Sequence, residues 1–284
     1  VLRSKISAEG LNSVVSEGYY KGCSALWCLA CTTEGRQLLI DDDELRSNIT
    51  AEGLNAILPE GSCKGETVLF FLACIPRGGG RQLLIDDEVL RSKISVEGLN
   101  AVIPEGKAKG KSALFFLACK PRGGGGQLLI DDEDLRGKIT AEGLNAVIHE
   151  GKDKGKSALY FLASSPEGRQ LIIDDEVLRS KITFHGLNAI VADGEEKCPS
   201  ALWFLARTSK GQQLLKDDED LLGKINADGL NTVMEEGNHK GKSALWFLAS
   251  SKVGRKLIID DNNLRGKITA DGLNSVIAEG EEKG

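Results

Sequence analysis

The groups best suited to bind or react recur at regular intervals. Arginine and glutamine stand together just after a glycine at Arg36-Gln37, Arg81-Gln82 and Arg169-Gln170, with Gln127 and Arg255 at the matching places. Basic groups beside a glycine turn that opens a helix can hold phosphate. A regular series of them could track a nucleic-acid backbone. Five residues downstream the pattern turns acidic, as in Asp41-Asp42-Asp43-Glu44 and Asp131-Asp132-Glu133-Asp134, and the net charge is −6. That balance opposes nucleic acid, which usually calls for a basic face. His149, His185 and His239 have no counterparts elsewhere in the pattern. Neither zinc-ligand spacing nor a phosphate-binding lysine motif occurs. Carboxylates that recur identically read as structural caps, whereas an active site usually breaks symmetry. The sequence therefore predicts no enzyme, no metal and no cofactor.

Cysteine use points the same way. The count is seven, and Cys31, Cys74 and Cys119 share one position that later holds Ser164, Arg207 and Ser250. Equivalent positions in stacked helices lie roughly 8–10 Å apart, beyond the roughly 7 Å limit for a bridge. Cys28 and Cys31 form a CxxC spacing, but the other copies replace Cys28 with phenylalanine. These read as free thiols filling small apolar spaces. They imply a cytoplasmic or other reducing intracellular setting.

Behind these groups lies a repeat. Leu-Asn recurs at Leu11-Asn12, Leu54-Asn55, Leu99-Asn100, Leu144-Asn145, Leu187-Asn188, Leu230-Asn231 and Leu273-Asn274, in steps of 43 or 45 residues. Such self-similarity marks a stacked array in which each unit hides its neighbour's apolar face. The copies are a partial one at 1–21, then 22–64, 65–109, 110–154, 155–197, 198–240 and 241–284. Together they make one array over 1–284. The chain opens on a valine in mid-repeat and carries no basic leader, so it reads as a fragment without a targeting signal. Its longest apolar runs are far short of a membrane span.

The copy 155–197 shows the elements. Ala158, Leu159, Phe161 and Leu162 form an apolar stripe behind Ser157, a helix cap, and Pro166 ends that helix. A glycine turn at Glu167-Gly168 follows. Asp174-Asp175-Glu176 then places acids at a helix start, and Asp175 with Arg179 is spaced for an i,i+4 ion pair. The same pair recurs at Asp42/Arg46, Asp87/Arg91, Asp132/Arg136 and Asp261/Arg265, and is lost at Asp218, where Leu222 replaces arginine. Thr183 caps a third helix with Leu187, Ile190 and Val191 on one face. Whether Leu171-Ile172-Ile173 joins the Leu-Arg helix stays open. The expectation is an all-α chain, a right-handed α-solenoid of about six to seven three-helix repeats.

Comparison among copies separates scaffold from display. The constant Gly-Leu-Asn asparagine reads as a backbone tie between layers. An aromatic column, Trp27, Phe70, Phe115, Tyr160, Trp203 and Trp246, precedes a near-constant phenylalanine. If partly exposed, it forms a ladder of the residue type enriched at interfaces. Beside it a variable column runs Glu44, Val89, Asp134, Val177, Asp220 and Asn263.

The string Gly155-Lys156-Ser157-Ala158-Leu159, then Leu162-Ala163, Gly168 and Leu171-Ile172, resembles a divergent ankyrin repeat over roughly half of each unit. The period is about ten residues too long for that family, and an aromatic holds its histidine position. Divergent ankyrin-like arrays are typical of bacterial effectors, which would make the host-cell cytosol one such reducing setting. Gly78-Gly79-Gly80-Arg81-Gln82-Leu83 is similar, over these few residues, to TAL-effector DNA-binding repeats. The expectation from all of this is a non-enzymatic scaffold that binds a protein partner along its concave face, through the aromatic ladder and the variable column. The alternative is a modular DNA-binding array that uses its Gly-Arg-Gln turns on the phosphate backbone.

Overall fold

The computed structural model describes residues 6–18, 20–61, 63–74, 79–119, 124–191 and 200–274. Among these the chain is all-α, with twenty-five short helices and one isolated bridge, Val14 to Ser24. None is long and apolar enough to cross a membrane. The chain divides into two compact units, Val1–Gly143 and Leu144–Gly284.

Among the described residues each full copy carries four short helices rather than the three expected. In the copy 155–197 they are Ala158–Ser164, Pro166–Asp174, Glu176–Ser180 and Phe184–Asn188. The Leu-Ile-Ile segment belongs to the second and is cut from the third by Asp175, whose backbone is extended at φ −99°, ψ 97°. Asp175 therefore ends one helix and caps the next.

Helices this short are unstable alone, and caps supply local support worth about 1 kcal/mol each. Ser157 Oγ accepts from Tyr160 N at 3.1 Å, Ser165 Oγ from Gly168 N at 2.9 Å, Asp175 Oδ1 from Leu178 N at 2.8 Å and Thr183 Oγ1 from Gly186 N at 3.1 Å. Pro166 does not merely end the first helix. It is the opening residue of the second, where its missing N–H costs nothing. Nor is Gly168 a turn residue, for it lies inside that helix. A Cβ there would meet Leu162 O at 2.3 Å, so glycine lets the second helix lie against the first.

The two-residue extensions fall where the second helix begins. Pro76 to Gly78 and Pro121 to Gly123 lie outside the described residues. Gly79 and Gly124 take over the cap positions with left-handed backbone, φ +75° and +71°. Ile40 and Ile85 of the preceding copies occupy the space a side chain would need there.

Within each unit, successive copies pack first helix on first helix. In the first unit, Ala25–Cys31 meets Val68–Cys74, which meets Ala113–Ala118. In the second, Ala158–Ser164 meets Ala201–Ala206, which meets Ala244–Ser250. One leucine of each is buried at the same place, among them Leu26, Leu69, Leu114, Leu159 and Leu202, all at 0% exposure.

The junction between copies is polar and specific. Asn188 Nδ2 donates to Phe184 O in its own helix and to Lys224 O in the next copy, both at 2.7 Å, and its Oδ1 accepts from Asn226 N at 3.0 Å. Asn55 repeats this in the first unit with Ala51 O, Lys93 O and Ser95 N. Asn12, Asn100 and Asn231 do likewise. The expected tie between layers is present in both units.

Candidate interaction surface

The arginine comb is not displayed. Arg36, Arg81 and Arg169 are 2%, 6% and 8% exposed, because each guanidinium turns back onto the end of the preceding helix. Arg36 donates to Ala30 O at 2.8 Å, Arg81 to Ala73 O at 2.8 and 3.1 Å, and Arg169 to Ala163 O at 2.8 Å. Burial lowers the pKa of Arg81 and Arg169 below the ordinary arginine value. Orphan helix-end carbonyls need a donor, and these arginines supply it. One copy makes the substitution itself. Gln212 stands in the arginine position, is buried, and donates to Ala206 O at 2.7 Å. Arg255 is exposed but still reaches Ala249 O at 3.0 Å. The adjacent glutamines are engaged as well. Gln37, Gln82, Gln127 and Gln170 donate to Asp41, Asp86, Asp131 and Asp174, one helical turn ahead.

In the four middle copies the first aromatic of each pair is the more buried one. Phe70, Phe115, Tyr160 and Trp203 are buried, with Trp203 at 0%, while Trp27 and Trp246 are half-buried. The following phenylalanines Phe71, Phe116 and Phe161 are the less buried partners. First-column rings point into the next layer and build an edge-to-face chain. Trp27 meets Phe71 at 5.4 Å and Phe70 meets Phe116 at 5.4 Å in the first unit. Tyr160 meets Phe204 at 5.4 Å and Trp203 meets Phe247 at 5.1 Å in the second. Lysines cover the outer rings, as Lys111 does Phe116 at 5.6 Å and Lys156 does Phe161 at 5.9 Å. Four of the six first-column rings are core, so the column does not form a continuous docking ladder.

For three of the five arginines the expected i,i+4 ion pair is replaced by a pair between copies. Arg46 Nε meets Asp87 Oδ2 at 3.1 Å, Arg91 meets Asp132 at 3.0 Å and Arg179 meets Asp218 at 3.1 Å. Nη1 of each serves the second helix's last carbonyls, such as Leu39 O and Leu84 O, and Nη2 of Arg46 meets Asp43. Asp218 has thus not lost its arginine, which comes from the copy before it.

The variable column survives as surface. Glu44, Val89, Asp134, Val177, Asp220 and Asn263 are all exposed near the start of the third helices. Val89 and Val177 are 66% and 64% exposed although apolar. Two further exposed apolar groups, Val96 and Phe184, open fourth helices in the same two copies. The sequence comparison passed over them. The signal was the replacement of an alanine found at this position in every other copy.

Two clefts of the first unit adjoin this column. One of about 510 Å³ is lined by Ile40, Leu83, Asp86, Glu88 and Val89 among others. Its neighbour, of about 730 Å³, repeats those walls 45 positions on with Ile85, Leu128, Asp131, Glu133 and Asp134.

The remaining reactive groups are scattered. Among the described residues no group of three or more His, Cys, Asp or Glu side chains is placed to hold a metal ion. Six cysteines among the described residues stand unbridged, and burial pushes the Cys74 thiol up to about 11, with Glu66 adding to it. A thiol so rarely ionised is a poor nucleophile. His149 and His185 are exposed, in different places. His239 packs its ring on Trp203 at 5.5 Å and Phe247 at 5.8 Å. Burial lowers its pKa, helped by Arg207 and Lys242. The unfolded chain then takes up the proton first, near pH 6.5. The stability that neutral His239 contributes is complete above that pH and lost as pH falls toward the folded-state value. A melting temperature measured from about pH 7 down to about pH 5 should fall more steeply in the native chain than in His239→Phe. Parallel curves would remove His239 as the cause.

No protein-family model matches the chain, and no curated protein or solved structure matches it either.

Proposed function

We propose that the chain is a non-enzymatic repeat scaffold, a right-handed α-solenoid, that binds a protein partner through the exposed column from Glu44 to Asn263. One observation carries this reading. The constant asparagines and the Arg-Asp pairs are consumed in joining copies, while the variable column of Glu44, Val89, Asp134, Val177, Asp220 and Asn263 is exposed. A surface free to vary on a fixed frame is what recognition of an asymmetric partner requires. Exposed Val89, Val96, Val177 and Phe184 supply apolar anchors, and the acids between them supply polarity. The reducing compartment belongs to the same reading, supported by the unbridged cysteines.

The DNA-binding alternative loses the contacts it relied on. Three of its arginines are spent on helix-end carbonyls, and its glutamines are bonded to aspartates. Acids crowd the same helical segments. A salt titration with duplex DNA tests the choice. No binding tighter than about 10⁻⁴ M is expected at physiological salt, the weak end of non-specific association. Tight binding that falls steeply with salt would reverse the preference.

A further inference from the structure

The two clefts of the first unit have a chemistry that specifies what would enter them. Ile40 and Leu83 give the first an apolar wall, and Ile85 and Leu128 do the same for the second. Carboxylates outnumber cations three to one around the first and five to two around the second. Those cations are already engaged. Arg46 and Arg91 hold Asp87 and Asp132 and helix-end carbonyls, and Lys138 reaches Ser92 O at 3.5 Å. Glu88, Glu133 and Asp134 are exposed at the clefts and have no ion-pair or hydrogen-bonding partner among the described residues. An apolar wall under unpaired carboxylates matches a lysine or arginine side chain, whose stem wants apolar contact and whose head wants a carboxylate.

The repeat fixes the spacing. Clefts one layer apart are separated by the helix packing distance, about 8–10 Å. A polyproline II segment covers that in about three residues, at roughly 3.1 Å each, and its three residues per turn keep every third side chain on the same face. A helical segment would need about six residues for the same advance, at 1.5 Å each, and would turn its next cation off the surface. We propose that the paired clefts bind a Lys/Arg-rich segment of a protein partner in the polyproline II conformation, with one cationic side chain in each cleft and three residues from one to the next. This rests on the protein-binding reading and adds the partner's chemistry to it.

Fluorescence anisotropy on the full chain tests it. The probes are a labelled peptide with lysine at every third position, a composition-matched isomer with its lysines in one block, neutral and acidic peptides, and duplex DNA. The spaced peptide should bind several-fold more tightly than the blocked isomer. Glu88→Gln/Glu133→Gln should weaken the spaced peptide about tenfold, as two partly exposed charge pairs would, with the far-UV dichroism unchanged. Equal affinity for the two lysine isomers, or no effect of the double substitution, overturns the proposal. Binding of the neutral or acidic peptides in place of the lysine ones overturns it while the protein-binding reading stands. Binding of DNA with no peptide bound overturns both.

Discussion

Gly229→Ala is expected to cost about 3 kcal/mol or more, through a side chain that belongs to the preceding copy. A Cβ at Gly229 would lie 2.3 Å from Asn188 Oδ1. Asn188 is 5% exposed and holds three backbone groups, Phe184 O, Lys224 O and Asn226 N. A methyl group there must either push the asparagine out or part the two copies. Each buried polar group left without a partner costs about 1–3 kcal/mol. Asn188→Ala should cost a similar amount, since it strands the same backbone groups. The double substitution Asn188→Ala/Gly229→Ala should cost less than the sum by about 1–2 kcal/mol, because the new methyl then enters space the asparagine has left. Gly223→Ala is the control. It ends a helix, has nothing within 4 Å of its would-be Cβ, and should be neutral or stabilising by up to about 1 kcal/mol. Urea unfolding of the four variants reads these values. Strict additivity of Asn188→Ala and Gly229→Ala would show that the two residues do not meet.

That pair also shows which features were legible in the sequence. The asparagine could be read as a tie between layers, since a polar residue kept in every copy beside a buried leucine has few other uses. The reason for its glycine could not. The atom that excludes a side chain at Gly229 is 41 positions away, and no local pattern announces it. The ion pairs failed for a related reason. Arg179 is four residues from Asp175 and 39 from Asp218, and in a periodic chain both partners occupy the same column. Periodicity fixes the column and leaves the copy undetermined. The arginine comb misled because a glycine before a basic residue reads as a turn, whereas Gly168 is helical and Arg169 folds back to Ala163. Gln212 was the available signal. Glutamine can replace arginine as a donor to one carbonyl but not as a phosphate-binding charge. Helix caps and the all-α class were legible because both depend on neighbours within a few residues. Two short helices took the place of one because Asp175 and its equivalents cap so well that a new helix starts on them.

Trp203→Ala is the second large effect expected, and it decides the status of the aromatic column. Trp203 is fully buried, touches Phe204, Phe247 and His239, and donates from Nε1 to Lys242 O at 3.0 Å. Truncating a buried tryptophan costs about 3–5 kcal/mol, and the edge-to-face contacts add about 0.5–1.5 kcal/mol for each pair lost. Trp246 is half-buried in the last described layer, with Lys242 Nζ 4.1 Å from its ring centre. Its truncation should cost markedly less than that of Trp203. Val177→Asp, at 64% exposure on a third helix, should change stability by no more than about 0.5 kcal/mol. Thermal melts of the three variants should therefore rank Trp203→Ala far below Trp246→Ala, with Val177→Asp beside the native chain. On the proposed reading, Val177→Asp should weaken partner binding most among the variants that fold, because the valine belongs to the exposed column. A Trp203→Ala chain that melts with the native protein would mean that its ring is spare, and the ladder would again be a candidate for display.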